Sequence, residues 1–322
     1  YSVEDDAEEV VDELEPKKLP SKALPVEAIE SIYCFGELRF NTRFLNFIAQ
    51  TQITLHVFNY YGYYSGTFYP REPYNSGRLL VKQVEFYQVK EKRIEIARQF
   101  VFGAAKNILK NLQYYDTRER DCTPFIERVQ NLITSISKCS EIDELMGVEG
   151  NIRSIYYESW HLIIKEEINF SKREMHPPTN PTNALISFCN ALVYSTVISE
   201  LYKTQLNPLI SYLHEPGDRR FSLSLDVAEI FKPMLADRLI FSLLNKKQIG
   251  EKHFKRDMNS CYLNDEGRKI VVQAYDDKLR ATIKHRSLRR SVSYKHLVRL
   301  ECYKLVKHLL GDREYKPFKI WW

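Results

Sequence analysis

Ser222-Leu223-Ser224-Leu225-Asp226-Val227-Ala228-Glu229-Ile230-Phe231 reads as one amphipathic helix that carries two carboxylates in an otherwise apolar setting. Three residues apart, Asp226 and Glu229 share a helix face. Twelve residues before Asp226 stands His214, in Leu213-His214-Glu215-Pro216-Gly217, where Pro and Gly mark a loop. A loop histidine and acids from the next helix can converge on one divalent cation. A ligand set rich in oxygen with a single imidazole suits Mg²⁺ or Mn²⁺ better than Zn²⁺. The same residues have an ordinary reading too: acids near a helix start offset its dipole, and a loop histidine is commonly polar surface.

Upstream, Leu145-Met146-Gly147-Val148-Glu149-Gly150-Asn151 leads into Ile155-Tyr156-Tyr157. Glu149 lies between two glycines at the entrance to an apolar helical run expected over 149–168. Backbone freedom on both sides would let its carboxylate approach a metal or a phosphate. As plain structure, it is a turn whose Glu caps the next helix. Helical patterning begins at Ser76, a good N-cap, and runs as one long helix through Leu80, Val84, Tyr87, Ile94, Ala97, Val101 and Ala105. Further helices are expected near 124–138, 181–205, 222–245, 268–283 and 291–310. The last puts Val298, Cys302, Leu305 and Leu309 on one stripe, and Lys295 and Arg299 together on another.

Before Ser76 the pattern differs. Ile32-Tyr33-Cys34-Phe35 and Ile53-Thr54-Leu55-His56-Val57-Phe58 are β-branched and aromatic, and residues 41–52 between them read as a short helix. The fold class is therefore α+β: a small β-rich domain over 23–75 and a large α-helical domain over 76–322. Residues 1–22, acidic and poor in aromatics, form an arm or linker.

With 44% apolar and 28% charged residues, the 322-residue chain has the composition of a globular protein with a real core. No uninterrupted apolar run reaches the roughly 18 residues of a membrane helix, so no membrane is expected. The first residues are acidic, not basic and then apolar, so no secretory signal is expected there. Cys34, Cys122, Cys139, Cys189, Cys261 and Cys302 are dispersed without a CxxC pair, which disfavours structural zinc and fits a reducing, cytoplasmic setting. Net charge is +5, unevenly spread: residues 1–30 hold ten acids and three lysines, residues 246–319 twenty Lys and Arg against nine acids. A basic C-terminal third points to a polyanion such as nucleic acid, or to a solvated helix surface.

Taken together and in this order, the segments 146–151, 213–217 and 222–233 resemble the glutamate, histidine and acidic elements of the CRISPR-associated integrase family, the "Cas-one" proteins. Val57-Phe58-Asn59-Tyr60-Tyr61-Gly62-Tyr63-Tyr64-Ser65-Gly66 with Phe68-Tyr69-Pro70-Arg71-Glu72 is similar to the segment that joins the family's two domains. Asn183-Ala184-Leu185-Ile186-Ser187-Phe188 resembles its central helix, and 293–310 its last helix. The likeness runs from about residue 23 to the end.

What the resemblance implies is an N-terminal β-sandwich-like domain, a helical catalytic domain, a homodimer, and a complex with the small "Cas-two" partner. Glu149, His214 and Glu229 would hold Mg²⁺ or Mn²⁺, with Asp226 the assisting acid. Tyr194 and Lys232 match an aromatic and a basic position near the family's site. The implied activity is metal-dependent DNA cutting and joining on double-stranded and branched DNA: spacers enter a CRISPR array by 3′-hydroxyl attack on a phosphodiester at the repeat ends. Arg286, Arg289, Arg290, Lys295 and Arg299 would meet phosphates without reading bases, about half of them being paired with local acids instead. Two departures stand out: the acidic arm 1–22 replaces the family's first β-hairpin, and position 229 is Glu where some relatives carry Asp. A stand-alone branched-DNA nuclease and a catalytically inert DNA-binding scaffold are the alternatives. The tyrosines at 60–64 are taken as packing between domains, rather than as stacking on bases.

Overall fold

The β-branched and aromatic segments near the N-terminus pair into one small mixed sheet. The computed structural model describes residues 25–71, 74–165, 170, 173–174, 177–217, 221–257 and 260–322, so the expectations placed on residues 1–22 lie outside the described residues. Strand β1 (Ser31–Phe35) leads through helix α1 (Thr42–Gln50) to β2 (Thr54–Phe58) and β3 (Tyr64–Phe68). Strands β1 and β2 are parallel, with Ser31 opposite Thr54 and Phe35 opposite Phe58; β2 and β3 are antiparallel, with Leu55 opposite Phe68. A helical crossover is what a parallel pair needs, and α1 supplies it. Asn41 caps α1 by accepting the Phe44 N–H at 2.9 Å.

Central strand β2 is covered on both sides. Leu55 joins Cys34, Ile48 and Ile53 in an apolar cluster under α1. On the other side His56 Nε2 and Thr54 Oγ1 meet Ser199 Oγ at 2.7 and 3.1 Å, and Tyr33 meets Thr196 at 3.3 Å. Both serve the long helix over 181–202. Between β2 and β3, Asn59 Oδ1 accepts the N–H groups of Tyr61 and Tyr63, both at 3.0 Å. Gly62 turns there at φ 82°, and a Cβ would lie 2.9 Å from the Phe188 ring. The tyrosines pack: Tyr64 sits edge-on to Tyr194, and Tyr61 to Tyr262.

The helical part comprises α2 (Gly77–Gln88), α3 (Lys90–Asp116), α4 (Thr123–Ser135), α5 (Ile142–Glu158), α6 (Trp160–Ile163), α7 (Pro181–Tyr202), α8 (Ser222–Lys232) and α9 (Arg238–Asn245). A β4–β5 hairpin (Phe254–Asp257, Ser260–Leu263), α10 (Asp265–Arg280), a β6–β7 hairpin (Thr282–Lys284, Ser291–Ser293) and α11 (Tyr294–Leu309) complete it. Helix α3 packs against α4, α5 and α8, and α7 against α8 and α11. Nearly all of α7 is buried, from Leu185 through Tyr202. It is long and apolar enough to cross a membrane by length and composition, but its residues line the protein interior. The stripe of Val298, Cys302, Leu305 and Leu309 is buried as the periodicity requires. All six cysteines are free thiols and buried.

Four sequence expectations need correction. The single helix from Ser76 breaks at Val89, which is extended (φ −87°, ψ 107°), a conformation that suits a β-branched residue; with no Gly or Pro there, periodicity runs through the break. Helix α5 starts seven residues before Glu149, because Glu144 accepts the N–H groups of Ser140 and Glu141 at 2.9 and 3.3 Å. The expected helix over 222–245 is interrupted by one π-helical turn, Pro233–Asp237. Finally, two short hairpins interrupt the C-terminal helices, so residues 291–293 form a strand rather than a helix start.

Candidate active site

Buried amides prepare the ground. Pro233 has no N–H to give a carbonyl in the preceding turn, and the π turn disturbs the ladder further. Side chains of α3 take over: Asn107 Nδ2 donates to Ile230 O at 2.9 Å, and Asn111 Nδ2 to Pro233 O at 2.8 Å. Asn107 Oδ1 also accepts the Ile320 N–H at 2.8 Å, tying in the C-terminal tail. Helix α8 is thereby fixed in register against α3, which also packs on α5.

Asp226, on α8 and fully buried, spends its carboxylate on the loop before the helix. Oδ2 accepts the N–H groups of Tyr212 and Leu213 at 2.7 and 3.0 Å; Oδ1 accepts the His214 N–H at 2.9 Å and meets His214 Nδ1 at 2.8 Å. Gln83 of α2 clasps the same loop through both the N–H and the carbonyl of Asn207. With Nδ1–H donating to Asp226, the neutral imidazole carries its lone pair on Nε2. Burial lowers the His214 pKa, but the Asp226 hydrogen bond and charge, with help from Glu229, outweigh it and hold the imidazole above its ordinary value.

Glu149 and Glu229 come together from α5 and α8 through a residue that the sequence reading missed. Arg153 Nε donates to Glu149 Oε1 at 2.8 Å, and the same guanidinium pairs with Glu229. Lys232 pairs with the other oxygen of Glu229. Burial would raise the Glu229 pKa, yet Arg153, Lys232 and His214 hold it down to about 2. Arg153 stands four residues after Glu149. That helical spacing already lay inside the helix expected over 149–168, but nothing local marks this arginine off from a surface cation. Glu149 is thus a mid-helix residue, not a turn residue between flexible glycines.

A second missed acid lies just behind. Asp237, at the end of the π turn, is 1% exposed, and its Oδ2 has no hydrogen-bond partner among the described residues. Burial, only partly opposed by Arg153 and Lys232, pushes its pKa up to about 7. Nothing in the sequence distinguishes it from a surface acid on a helix.

The expected meeting of three ligands around one ion is only partly realised. Among the described residues, no group of three His, Cys, Asp or Glu side chains is gathered closely enough to hold a metal. Glu149 and Glu229 share a guanidinium instead, and Asp226 faces the loop backbone. The donor set nonetheless fits a hard divalent cation: two carboxylates already neutralised by a positive stand-in, with an oriented imidazole in electrostatic reach of Glu229.

The expected DNA-contacting residues divide. Arg299 Nε meets the buried Glu200 at 2.7 Å and Lys295 meets the half-exposed Glu30 at 2.6 Å, so both belong to an ion cluster at the rim of a surface cavity. Tyr194 is buried, and its hydroxyl accepts the Phe221 N–H at 3.0 Å, just ahead of α8. Arg286, Arg289 and Arg290 are exposed on the β6–β7 loop; Arg286 donates to Trp321 O at 3.2 Å.

Paired acids from separate helices, an imidazole oriented by a buried carboxylate and two flanking cations are groups that phosphoryl-transfer chemistry can use. The comparisons carry this to a family. Residues 4–277 match the family described as CRISPR associated protein Cas1. The chain is 51% identical over 306 residues to a CRISPR-associated endonuclease Cas1 of Fusobacterium nucleatum subsp. nucleatum, covering 95% of this chain and 90% of that one. It is 45% identical over 300 residues to the Methanocaldococcus jannaschii CRISPR-associated endonuclease Cas1, covering 93% and 91%. Among solved structures, a CAS1 protein of Thermotoga maritima superposes with a TM-score of 0.83 at 42% identity, over 92% of each chain. A chain of a Cas6-RT-Cas1–Cas2 complex shares the fold, with a TM-score of 0.78 at 18% identity, over 90% of this chain and 32% of that one. The chain belongs to the Cas1 family.

Proposed function

We propose that the Cas1-type nuclease and integrase activity of this chain, which serves spacer acquisition, is carried by Glu149, His214 and Glu229, with Asp226 positioning His214. The observation that supports it is the convergence of Glu149 and Glu229 on one guanidinium, from helices far apart along the chain. Two carboxylates in a largely buried place need a cation or a proton between them, and here a cationic group already stands there.

Glu149, Glu229 and His214 Nε2 would hold Mg²⁺ or Mn²⁺. Bound there, the ion supplies Lewis-acid polarisation of a phosphate oxygen and a lowered pKa for a nearby hydroxyl. The chain's own contributions are distinct. Asp226 fixes the imidazole tautomer and direction. Lys232, beside Glu229, offers a positive group to a phosphate. In the joining reaction a DNA 3′-hydroxyl attacks a phosphodiester at a repeat end; one P–O ester forms as another breaks, so no external energy source is needed. With water as nucleophile the same centre cuts.

The same reading takes 23–75 as a β-sandwich-like domain and 76–322 as the catalytic domain of a cytoplasmic homodimer. It acts on double-stranded and branched DNA with a small Cas2-type partner; a related fold was solved in a complex named for Cas1 and Cas2. The exposed Arg286, Arg289 and Arg290 meet the DNA backbone. The test is Glu149→Ala in a Mn²⁺-dependent assay with branched DNA and a CRISPR array, with and without the partner. Loss of both cutting and joining with DNA binding retained is expected; full residual activity removes Glu149 from the site. Cut but never joined products from the wild type would favour a stand-alone nuclease.

A further inference from the structure

We propose that Arg153 is a built-in cation that keeps the acid pair together and passes to Asp237 when a divalent ion takes Glu149 and Glu229. This rests on the reading of Glu149 and Glu229 as metal ligands.

Charge balance is the first argument. As placed, Glu149 and Glu229 are offset by Arg153 and Lys232. A divalent ion added to those four charges leaves a surplus of two in a largely buried place, and one oxygen of each carboxylate is already committed to the guanidinium. Arg153 must therefore leave for the ion to enter. Its side chain is 13% exposed, so it cannot simply be left without a counter-charge.

Asp237 provides the destination. Its carboxylate is buried, yet among the described residues Oδ2 has no hydrogen-bond partner, an arrangement that costs free energy and calls for an explanation. Arg153 is the positive group that acts on it most strongly, ahead of Lys232. Asn111 Nδ2 reaches both Tyr156 OH at 2.9 Å and Pro233 O at 2.8 Å, so the π turn that ends at Asp237 begins beside α5, where Arg153 stands one turn before Tyr156 on the same face. Tyr156, whose hydroxyl accepts from Asn111 Nδ2 at 2.9 Å, is near enough to the Asp237 carboxyl to favour its charged form. A planar guanidinium can exchange one carboxylate for another without losing its donors to an apolar surround.

The experiment is calorimetric titration of the full chain with MnCl₂, without DNA, alongside thermal melting with and without Mn²⁺. For Arg153→Gln, Mn²⁺ affinity should rise about tenfold, and the Mn²⁺-induced rise in melting temperature should grow, because the competing cation is gone. Asp237→Asn should weaken Mn²⁺ about fivefold in the wild-type background and have no effect in Arg153→Gln, since the two residues act through each other. If Arg153→Gln does not fold, Arg153→Lys, which cannot span both acids, should give a smaller gain of the same sign. Unchanged or weaker Mn²⁺ binding in a folded Arg153 variant overturns the proposal. So does an equal effect of Asp237→Asn in both backgrounds. Glu149→Gln separates the two levels. If it abolishes Mn²⁺ binding while Arg153→Gln gains nothing, the metal site stands and the exchange falls. If it leaves binding intact, both fall.

Discussion

Asp226 holds His214 twice: its Oδ1 accepts the backbone N–H at 2.9 Å and meets Nδ1 of the ring at 2.8 Å. One carboxylate therefore sets both the position of the loop and the direction of the imidazole. Asp226→Asn would turn an amide N–H toward backbone N–H groups, so stability should fall by about 3 kcal/mol. Cutting activity should fall with it. Urea unfolding and a branched-DNA assay would check both. A variant of unchanged stability would contradict the account.

The same pair sets a pH dependence. The His214 pKa lies above the ordinary histidine value, so its pairing with Asp226 contributes stability fully at pH below about 6.5, lost as pH rises through the higher folded value. The imidazole titration followed by NMR should have a midpoint above 6.5, moving down in Asp226→Asn. A wild-type midpoint below 6.5 would argue against the hydrogen bond.

Two glycines should respond oppositely. A Cβ on Gly103 would lie 2.7 Å from the Pro317 ring, where the C-terminal tail crosses α3, while nothing stands within 4 Å of one on Gly150. Gly103→Ala should cost about 1–3 kcal/mol by overpacking. Gly150→Ala, in mid-helix, should gain about 0.5–1 kcal/mol. Denaturant midpoints read both, and a stabilised Gly103 variant would refute the close tail packing.

Arginines of the C-terminal third should also divide. Arg299→Ala leaves the fully buried Glu200 with a weaker set of partners, and should lower the melting temperature. Arg289→Ala/Arg290→Ala should leave melting unchanged and flatten the salt dependence of DNA affinity by about one to two contacts. An unchanged salt slope would place those two residues away from DNA.

How much of this could be read beforehand follows from what each residue leaves in a local pattern. Asp226, Glu229 and His214 lie within sixteen residues, and the apolar frame of Leu223, Val227 and Ile230 announced their helix. The stripe through Val298, Cys302 and Leu305 was equally plain. The start of α5 was misread because glycines at 147 and 150 imitated a turn that the Glu144 cap upstream outweighed, and Arg153 went unnoticed because its second partner, Glu229, comes from another helix. Asp237 left no trace, because its burial depends on a π turn supported by Asn107 and Asn111 from a distant helix. Lys295 and Arg299 were placed on one stripe correctly. Their partners, Glu200 and Glu30, are brought by tertiary packing that no local spacing encodes.

The most direct measurement of the central claim is a crystal structure soaked in Mn²⁺, with anomalous scattering collected at the manganese edge. One strong peak bounded by Glu149, His214 and Glu229 is expected, with the Arg153 guanidinium withdrawn from between the two acids. Arg153 still bridging Glu149 and Glu229, with manganese bound elsewhere or not at all, would contradict it.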